Sequence, residues 1–134
     1  MSDWNAKIIE EFRSNAGKVG GNFERMDLLL LHSTGAKSGE ERIHPLVYQS
    51  VGDDFAIFAS KGGAPTHPAW YHNLIANPSA SVEVGTETID VEARVLEGDE
   101  RESIWSKQKR DLPFFADYEA GTDRQIPVFL LERR

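Results

Sequence analysis

The pattern of apolar and polar residues predicts a helix at the start of the chain. Trp4, Ile8, Ile9 and Phe12 recur at close to helical spacing, and Asp3 before them can cap the helix. Glycines at positions 17, 20 and 21 then end it. We expect an amphipathic helix that packs on the rest of the chain. Contact with a membrane surface is the alternative that the pattern leaves open.

Short extended runs follow this helix. A continuous apolar run from Met26 to His32 has the length of a strand buried on both faces. Extended character resumes from Arg42 to Tyr48 and from Phe55 to Ala59, with a glycine and two aspartates turning one run into the other. We expect these three strands to form an antiparallel meander.

A second short helix and a hairpin come next. Pro68 loses nothing at the first turn of a helix, so we expect a helix over Ala69 to Ala76. Ser81 to Val84 and Thr88 to Val95 alternate with period two around a turn that contains glycine, which predicts a hairpin. The alternate residues of its second strand, from Ile89 to Val95, should face one way, and the hairpin should close the sheet.

The last part of the chain predicts one more helix and one more strand. Asp99 can cap a helix through Gln108, an aromatic and polar loop runs from Pro113 to Thr122, and a final strand covers Pro127 to Leu131. Six short strands with few, peripheral helices favour a mainly β fold, a small barrel, over a doubly wound sheet. We assign residues 1–25 to the N-terminal helix and connector and residues 26–134 to the barrel domain.

Composition narrows the class of protein. A chain of 134 residues with 40% hydrophobic content is long enough for one core. No apolar run approaches the roughly 18 residues that span a bilayer, and the first residues lack the order of an export signal. We therefore expect a cytoplasmic protein, with peripheral membrane contact left open. The sequence has no cysteine, which excludes disulfides, thiolate metal sites and cysteine nucleophiles.

Charge is unevenly distributed. The formal net charge of -7 disfavours nucleic acid as a partner, because binding to phosphates needs a basic surface. No acidic residue occurs from Phe55 through Val82, a stretch that contains Lys61, His67 and His72. An anion could bind there without repulsion.

The segment between the first two strands carries the most information. Gly35 and Gly39 permit a tight turn with exposed backbone N–H groups, and Lys37 and Arg42 bring two cations to the same corner, which suits a phosphate. The spacing of a P-loop is absent, so ATP hydrolysis is not expected. A polar hairpin turn with solvated charges explains the same residues.

The acid-free stretch offers a second anion position. A strand ends at Ser60, a glycine pair lets the backbone approach a ligand, and the next helix presents N–H groups at its N-terminus. Trp70 and Tyr71 can form an aromatic wall, and Asn73 can hydrogen-bond a ring amide. A flat polar heterocycle would fit. The alternative is that Trp70 anchors the helix to the core.

Other chemistries are disfavoured by spacing. His67 and His72 are five positions apart and no His-Glu-x-x-His occurs, so we expect no metal site. Ser60 lies in neither a Gly-x-Ser-x-Gly nor a Ser-x-x-Lys pattern, which argues against a serine hydrolase but leaves its hydroxyl free to bind a ligand. His44 is expected to be a polar strand residue or a ligand contact.

Aromatic residues are concentrated in the late loop. Phe114, Phe115 and Tyr118 could cover an active site, with the Tyr118 hydroxyl as a proton donor or hydrogen-bond partner. A local hydrophobic cluster that pins the loop is the alternative.

Taken together, these segments resemble the deazaflavin-dependent nitroreductase and quinone reductase family. The resemblance runs from about Leu28 to the C-terminus. The motifs that carry it, in order, are Thr34-Gly-Ala-Lys-Ser-Gly, Arg42-x-x-Pro45, Ala59-Ser-Lys-Gly-Gly, His67-Pro-x-Trp-Tyr-x-Asn-Leu, Asn77-Pro, Asp117-Tyr and Thr122-Asp-Arg-x-Ile-Pro127.

The resemblance implies a six-stranded antiparallel split β-barrel related to flavin-binding barrels. It implies coenzyme F420 in a groove and hydride transfer to a small electron-poor acceptor, a quinone or a nitroaromatic. The phosphate and acidic tail of the coenzyme would be held by Lys37, Ser38, Arg42 and Lys61. The remaining cofactor-binding residues that it implies are Ala36, Ile43, His44, Pro45, Leu46, Val47, Phe58, Ala59, Ser60, Ala69, Trp70, Tyr71, His72 and Asn73.

The resemblance also implies an acceptor site at the late loop. Phe114, Phe115 and Tyr118 would bind the substrate, and Ser60 and Tyr118 would stabilise charge developing on it. Tyr118 matches a tyrosine position of the family, whereas Phe115 replaces a neighbouring tyrosine and cannot supply a proton. This departure bears on nitroimidazole reduction more than on coenzyme binding.

Two other functions fit the same residues. One is a noncatalytic carrier that binds and protects the coenzyme, and the other is a barrel that binds flavin or haem. The physiological acceptor is not indicated by the sequence, and monomer and homodimer are both compatible with it.

Overall fold

The computed structural model describes residues 3–20, 26–61 and 66–134, with side chains of the first helix from residue 6 onwards. The predicted glycine pair at 62–63 and the end of the connector at 21–25 lie outside these residues. The elements are α1 Asp3–Ser14, β1 Leu28–Thr34, β2 Glu41–Val51, β3 Asp54–Phe58, α2 Ala69–Ala76, β4 Ser79–Val84, β5 Glu87–Val95, α3 Gly98–Asp111, α4 Phe114–Ala120 and β6 Val128–Arg133.

The six strands form a closed antiparallel barrel in the order β1-β2-β3-β6-β5-β4. The predicted meander is confirmed as β1, β2 and β3, and the predicted hairpin is confirmed as β4 and β5. Its two strands close the barrel, since β4 pairs with β1 and β5 pairs with β6.

Alternate strand residues fill the interior of the barrel. Leu29 and Leu31 of β1, Ile57 of β3 and Leu131 of β6 are each 0% exposed and belong to one cluster. Trp70 of α2 packs into the same cluster and lies edge-on to Phe129, with ring centroids 5.7 Å apart. The core-anchor interpretation of this tryptophan is therefore confirmed, and α2 is fixed over one part of the barrel.

Helices cover the outer faces of the strands. Ile9 and Phe12 of α1 pack on Leu28 and Leu30 of β1, which confirms the predicted packing helix. On another face, α3 and α4 cover β3 and β6 through a cluster that contains Trp105. None of the described helices is long and apolar enough to cross a bilayer.

Two predictions about the C-terminal half were wrong. The expected loop after Pro113 is the helix α4, because Tyr118 follows Phe114 and Phe115 by one helical turn and the three pack with residues of α3 in one cluster. Asp99 lies in the first turn of α3, one residue after its first residue, and does not cap it. Val95 pairs with Phe129 of the interior cluster, so it keeps the predicted face of β5, although at the end of the strand it is 40% exposed.

Candidate functional site

Two cavities adjoin each other on one side of the barrel. The first, here called the aromatic cavity, has a volume of about 490 Å³ and is lined by Met26, Leu28, Pro45, Leu46, Val47, Phe58, Ser60, Lys61, Pro68, Trp70, Phe114, Phe115 and Tyr118. The second, the cationic cavity, has about 570 Å³ and is lined by Gly35, Ala36, Lys37, Ser38, Glu41, Arg42, Ile43, His44, Ala69, His72 and Asn73. Both volumes are typical of sites for organic ligands.

The two cavities share a boundary along β2 and α2. His44 and Pro45 are consecutive in β2, yet the first lines the cationic cavity and the second lines the aromatic cavity. Ala69 and Trp70 divide in the same way at the start of α2. The two cavities are therefore neighbours along β2 and α2.

A tight turn over residues 35–40 forms the edge of the cationic cavity. The N–H of Gly35 donates to the carbonyl of Glu40 at 2.7 Å, and the N–H of Gly39 donates back to Gly35 at 3.0 Å. A Cβ at position 35 would lie 2.6 Å from the Ser38 hydroxyl and 3.2 Å from the carbonyl oxygen of Glu40, so a side chain there would displace the hydroxyl. These N–H groups are used within the turn, so the expected array of exposed amides is largely replaced by internal hydrogen bonds.

Charged side chains surround this turn. Lys37 and Arg42 both line the cavity and are exposed, and Arg42 lies 3.4 Å from the carboxylate of exposed Glu40. An exposed ion pair of this kind contributes little free energy, so Arg42 can exchange Glu40 for a ligand phosphate at small cost. Glu41 also lines the cavity, which puts one negative charge beside the two cations.

His44 of β2 is one of the residues that line the cationic cavity. Its Nδ1 is buried and has no hydrogen-bond partner among the described residues. Burial, and then the charge of Arg42, lower the pKa of His44, so its imidazole is neutral at neutral pH. A buried polar atom normally has a partner, so this Nδ1 is an exception among the described residues.

Asn73 connects α2 to the turn. Its side chain is only 6% exposed; its Oδ1 accepts from the N–H of Ala36 at 2.9 Å and its Nδ2 donates to the Ser33 hydroxyl at 3.2 Å. These bonds fix the turn relative to the helix, a role in the shape of the cavity that the sequence analysis did not foresee.

The end of β3 brings Ser60 and Lys61 into the aromatic cavity. Ser60 is 7% exposed, whereas Lys61 is exposed and donates to the Thr66 hydroxyl at 3.2 Å. Lys61 has a φ of 46°, a left-handed conformation that is rare for residues with a side chain. Arg124 donates to the carbonyl oxygens of Ala59 and Ser60, directly before it.

His67 lies on the other side of this arginine. Its Nδ1 is 3.0 Å from Nη1 of Arg124, and its ring stacks on Tyr71 with centroids 4.1 Å apart. Burial, and then Arg124 and His72, lower the pKa of His67. A neutral His67 with a free lone pair on Nδ1 is therefore the form that accepts from Arg124.

The helix α4 forms the aromatic wall. Phe114 and Phe115 have ring centroids 4.7 Å apart, and Tyr118 lies edge-on to both at 5.4 Å and 5.6 Å. Phe115 is 5% exposed and also packs on Phe58, so it belongs to the core as well as to the cavity. The local hydrophobic cluster is therefore confirmed, and the same residues line the aromatic cavity.

The structure brings together all but two of the predicted site residues. Ala59 and Tyr71 line neither cavity, because each belongs to the interior cluster of the barrel. Met26 and Leu28 line the aromatic cavity and were not predicted. In the apolar run that contains them, hydrophobicity is continuous and does not show which residues face outwards.

These features define the class of protein: a small split barrel whose surface groove suits a planar ring with an anionic tail. The chain matches the family model of the F420H(2)-dependent quinone reductases over residues 4–133. It is 36% identical over 127 residues to an F420H(2)-dependent quinone reductase of Mycobacterium tuberculosis, and the match covers 92% of this chain and 85% of the relative. The chain therefore belongs to the F420H(2)-dependent quinone reductase family.

Solved structures agree with this assignment. The structure of an F420-H2 dependent reductase, FDR-A, superposes with a TM-score of 0.73 at 46% identity, covering 78% of this chain and 93% of that one. A second structure, described as a domain-swapped dimer, gives a TM-score of 0.75 at 41% identity and covers 97% of this chain and 98% of that one. The predicted split barrel, the dependence on reduced coenzyme F420 and the assignment as an oxidoreductase are confirmed.

Proposed function

We propose that this protein holds reduced coenzyme F420 along the two cavities and catalyses hydride transfer from it to a quinone that lies against α4. This proposal rests on the boundary that the two cavities share. A coenzyme with its ring in the aromatic cavity and its tail in the cationic cavity needs continuous walls. His44 and Pro45 provide that continuity on β2, and Ala69 and Trp70 provide it on α2.

The cationic cavity has the chemistry to hold a phosphate and an acidic tail. Lys37 and Arg42 contribute the charges, and the Ser38 hydroxyl adds a neutral donor. Glu41 limits the net positive charge, so we expect binding that depends on the lysine and the arginine together.

The aromatic cavity has the chemistry to hold a planar ring. Pro45, Val47 and Phe58 provide an apolar floor, and Trp70 provides one side. The bound coenzyme would supply the hydride, while the protein supplies position and exclusion of water. Because α2 and β3 are both tied to the barrel core, these walls are rigid.

The acceptor would lie between the ring and α4. Phe114 and Phe115 offer aromatic surface for stacking, and Tyr118 adds a hydroxyl. A quinone that receives a hydride develops negative charge on its carbonyl oxygen and then takes up a proton to complete the hydroquinone. Ser60 and Tyr118 line this cavity and can donate hydrogen bonds to that oxygen.

We infer that quinones are better acceptors than nitroaromatics. A quinone needs one hydride, one proton and hydrogen-bond donors at its oxygens. Phe115 has no hydroxyl, which leaves Tyr118 as the tyrosine of the aromatic wall. Nitroaromatics remain within the proposed range of acceptors, at lower rates.

The test is turnover under anaerobic conditions with reduced F420 and menadione, followed by the absorbance of the oxidised coenzyme. We expect catalytic oxidation that saturates with menadione. A protein that binds F420 but does not accelerate its oxidation by any quinone would be a carrier, and the proposed activity would be wrong. Cavity walls formed by Phe114 and Tyr118 support the enzyme over the carrier, since a carrier needs no open aromatic site beside the ring.

We also propose that the chain can form a homodimer, since one relative is described as a domain-swapped dimer. Light scattering of the purified protein over a range of concentrations tests this directly. A monomer mass at every concentration would contradict it.

A further inference from the structure

Arg124 lies behind the aromatic cavity and joins two separate segments of its wall. Its Nη1 donates to the carbonyl oxygen of Ala59 at 3.0 Å, and its Nη2 donates to that of Ser60 at 2.8 Å. The same Nη1 lies 3.0 Å from Nδ1 of His67. Ala59 and Ser60 follow β3, whereas His67 precedes α2, so one guanidinium spans both segments.

The hydrogen bonds from Arg124 bear on the backbone conformation of Lys61. It follows Ser60, and its left-handed backbone persists only where the surrounding structure holds it. Arg124 fixes the two carbonyl groups immediately before Lys61. The direction in which Lys61 enters the aromatic cavity is therefore set by a residue that does not line the cavity itself.

His67 connects Arg124 to α2. Its ring stacks on Tyr71, and Pro68 and Trp70 beside it line the aromatic cavity. A guanidinium is planar and always charged, so it can donate to acceptors on both segments in a fixed geometry.

We propose that Arg124 is a positioning residue for coenzyme binding: it holds the Ser60–Lys61 wall and the Pro68–Trp70 wall of the aromatic cavity at a fixed separation. The proposal rests on the proposed function. It assigns Arg124 no contact with the coenzyme or the acceptor. Its effect passes through Lys61 on one side and through His67 on the other.

Two substitutions separate geometry from charge. Arg124→Met keeps the length of the side chain and removes the donors, and we expect the Kd for F420 to rise roughly tenfold or more. Arg124→Lys keeps the charge without the planar fork, and we expect most of that loss to remain. If Arg124→Lys binds F420 as tightly as the wild type, charge alone accounts for the residue and positioning is contradicted.

A third substitution tests the link to α2 with less risk to folding. His67→Phe keeps a ring to stack on Tyr71 and removes the acceptor for Arg124. We expect a Kd several-fold above that of the wild type with near-native circular dichroism. An unchanged Kd would show that the His67 side of the contact does not position the wall.

Arg133 provides the matched control. Its Nε donates to the carbonyl of Asp53 at 2.7 Å and its guanidinium lies 5.5 Å from the ring of Phe55, but it lines neither cavity. Arg133→Met should lower the Tm while leaving the Kd for F420 unchanged. If Arg133→Met weakens binding as much as Arg124→Met, the effect is general destabilisation and the proposal is overturned.

A pair of double mutants gives the decisive measurement. If Arg124 acts through Lys61, Arg124→Met should weaken binding much less in a Lys61→Ala background than in the wild type. With Lys37→Ala, which removes a cation on the other cavity, the two losses should multiply. If Arg124→Met weakens binding by the same factor in the Lys61→Ala and Lys37→Ala backgrounds, the positioning role of Arg124 is contradicted and the proposed function is unaffected. A wild-type protein that binds no F420 contradicts the proposed function.

Discussion

The indole Nε1 of Trp105 donates to Oε2 of Glu119 at 2.5 Å and so joins α3 to α4. The other carboxylate oxygen of Glu119 accepts from Nζ of Lys109, also on α3, at 2.9 Å. Trp105 is 1% exposed and is part of the cluster beneath α4. Because α4 carries Phe114 and Tyr118, this contact fixes the part of the aromatic cavity wall that α4 forms.

Glu119→Ala should shift that wall. The buried indole N–H of Trp105 loses its acceptor, so we expect a loss of about 1 kcal/mol in stability or somewhat more. The KM for menadione should rise more than the Kd for F420, because α4 forms the part of the aromatic cavity in which we propose that the acceptor lies. Asp111→Ala is the control, since it breaks an exposed pair with Lys107 on the same helix. Equal effects of the two variants on KM would show that Glu119 does not position α4.

The Glu119 contact also has a pH dependence. Burial opposes ionisation, but the hydrogen bonds from Lys109 and Trp105 outweigh it and lower the pKa of Glu119. A carboxylate with a lowered pKa adds stability above its ordinary pKa, and the contribution is lost as the pH falls through the lowered value. Thermal unfolding across the acid range should therefore show a steeper loss for the wild type than for Glu119→Ala. Parallel curves would contradict this.

Ser60 and Tyr118 line the same cavity and should share one role in the reaction. Tyr118→Phe and Ser60→Ala each remove a hydroxyl that can stabilise a reduced quinone oxygen, so we expect kcat for menadione to fall roughly tenfold or more in at least one of them, and further in the double variant. Tyr48→Phe, in a tyrosine that lines neither cavity, should leave kcat unchanged. If Tyr118→Phe, Ser60→Ala and the double variant all keep the wild-type kcat, neither hydroxyl takes part in the reaction.

Glu41 should weaken coenzyme binding in the native protein. Its carboxylate lines the cationic cavity and would repel an anionic tail. Glu41→Gln should lower the Kd for F420 several-fold at low ionic strength, and the gain should shrink as salt is added. Glu87→Gln makes the same change in net charge at an exposed position of β5 and should have little effect. A gain of equal size in both variants would reflect net charge alone.

Gly17 and Gly85 meet where α1 ends against the β4–β5 turn. A Cβ on Gly17 would lie 2.7 Å from the Cα of Gly85, and Gly17 has a φ of 92°. Gly17→Ala should therefore cost more stability than Gly52→Ala, which has a positive φ but no atom within 4 Å of its Cβ. The second variant should lose roughly 1–2 kcal/mol from backbone strain alone. If Gly17→Ala and Gly52→Ala lower the Tm equally, the close approach of Gly17 to Gly85 does not contribute to the loss of stability.

The sequence was most informative where backbone requirements and chemistry coincide. Gly35 and Gly39 indicate a turn, and two cations, Lys37 and Arg42, lie close to it in the sequence. That corner of the cationic cavity could therefore be predicted without coordinates. Pro68 marks the start of α2 equally well, and the helix begins at the next residue. Period-two alternation was enough to predict the hairpin and, with the other strands, the barrel.

Contacts made through the backbone could not be predicted in this way. Arg124 appears in a motif, but nothing in its spacing indicates that it donates to carbonyls of Ala59 and Ser60, more than sixty residues earlier. Asn73 looks like a ligand contact because its amide is versatile, and only the structure shows it bonded to Ser33 and Ala36. The helical spacing within α4 was present in the sequence and was obscured by the polar residues around it.

The central claim is that a cationic cavity and an aromatic cavity together hold one planar ring with an anionic tail. The most direct test is a fluorescence titration with F420, with riboflavin phosphate and a nicotinamide cofactor as controls, on the wild type and on Lys37→Glu. We expect a Kd in the micromolar range or below for F420, about -8 kcal/mol or better, and much weaker binding of both controls. Lys37→Glu should weaken F420 binding strongly, and more so at low salt. Equal binding of F420 and riboflavin phosphate, or an unchanged Kd in Lys37→Glu, would contradict the account.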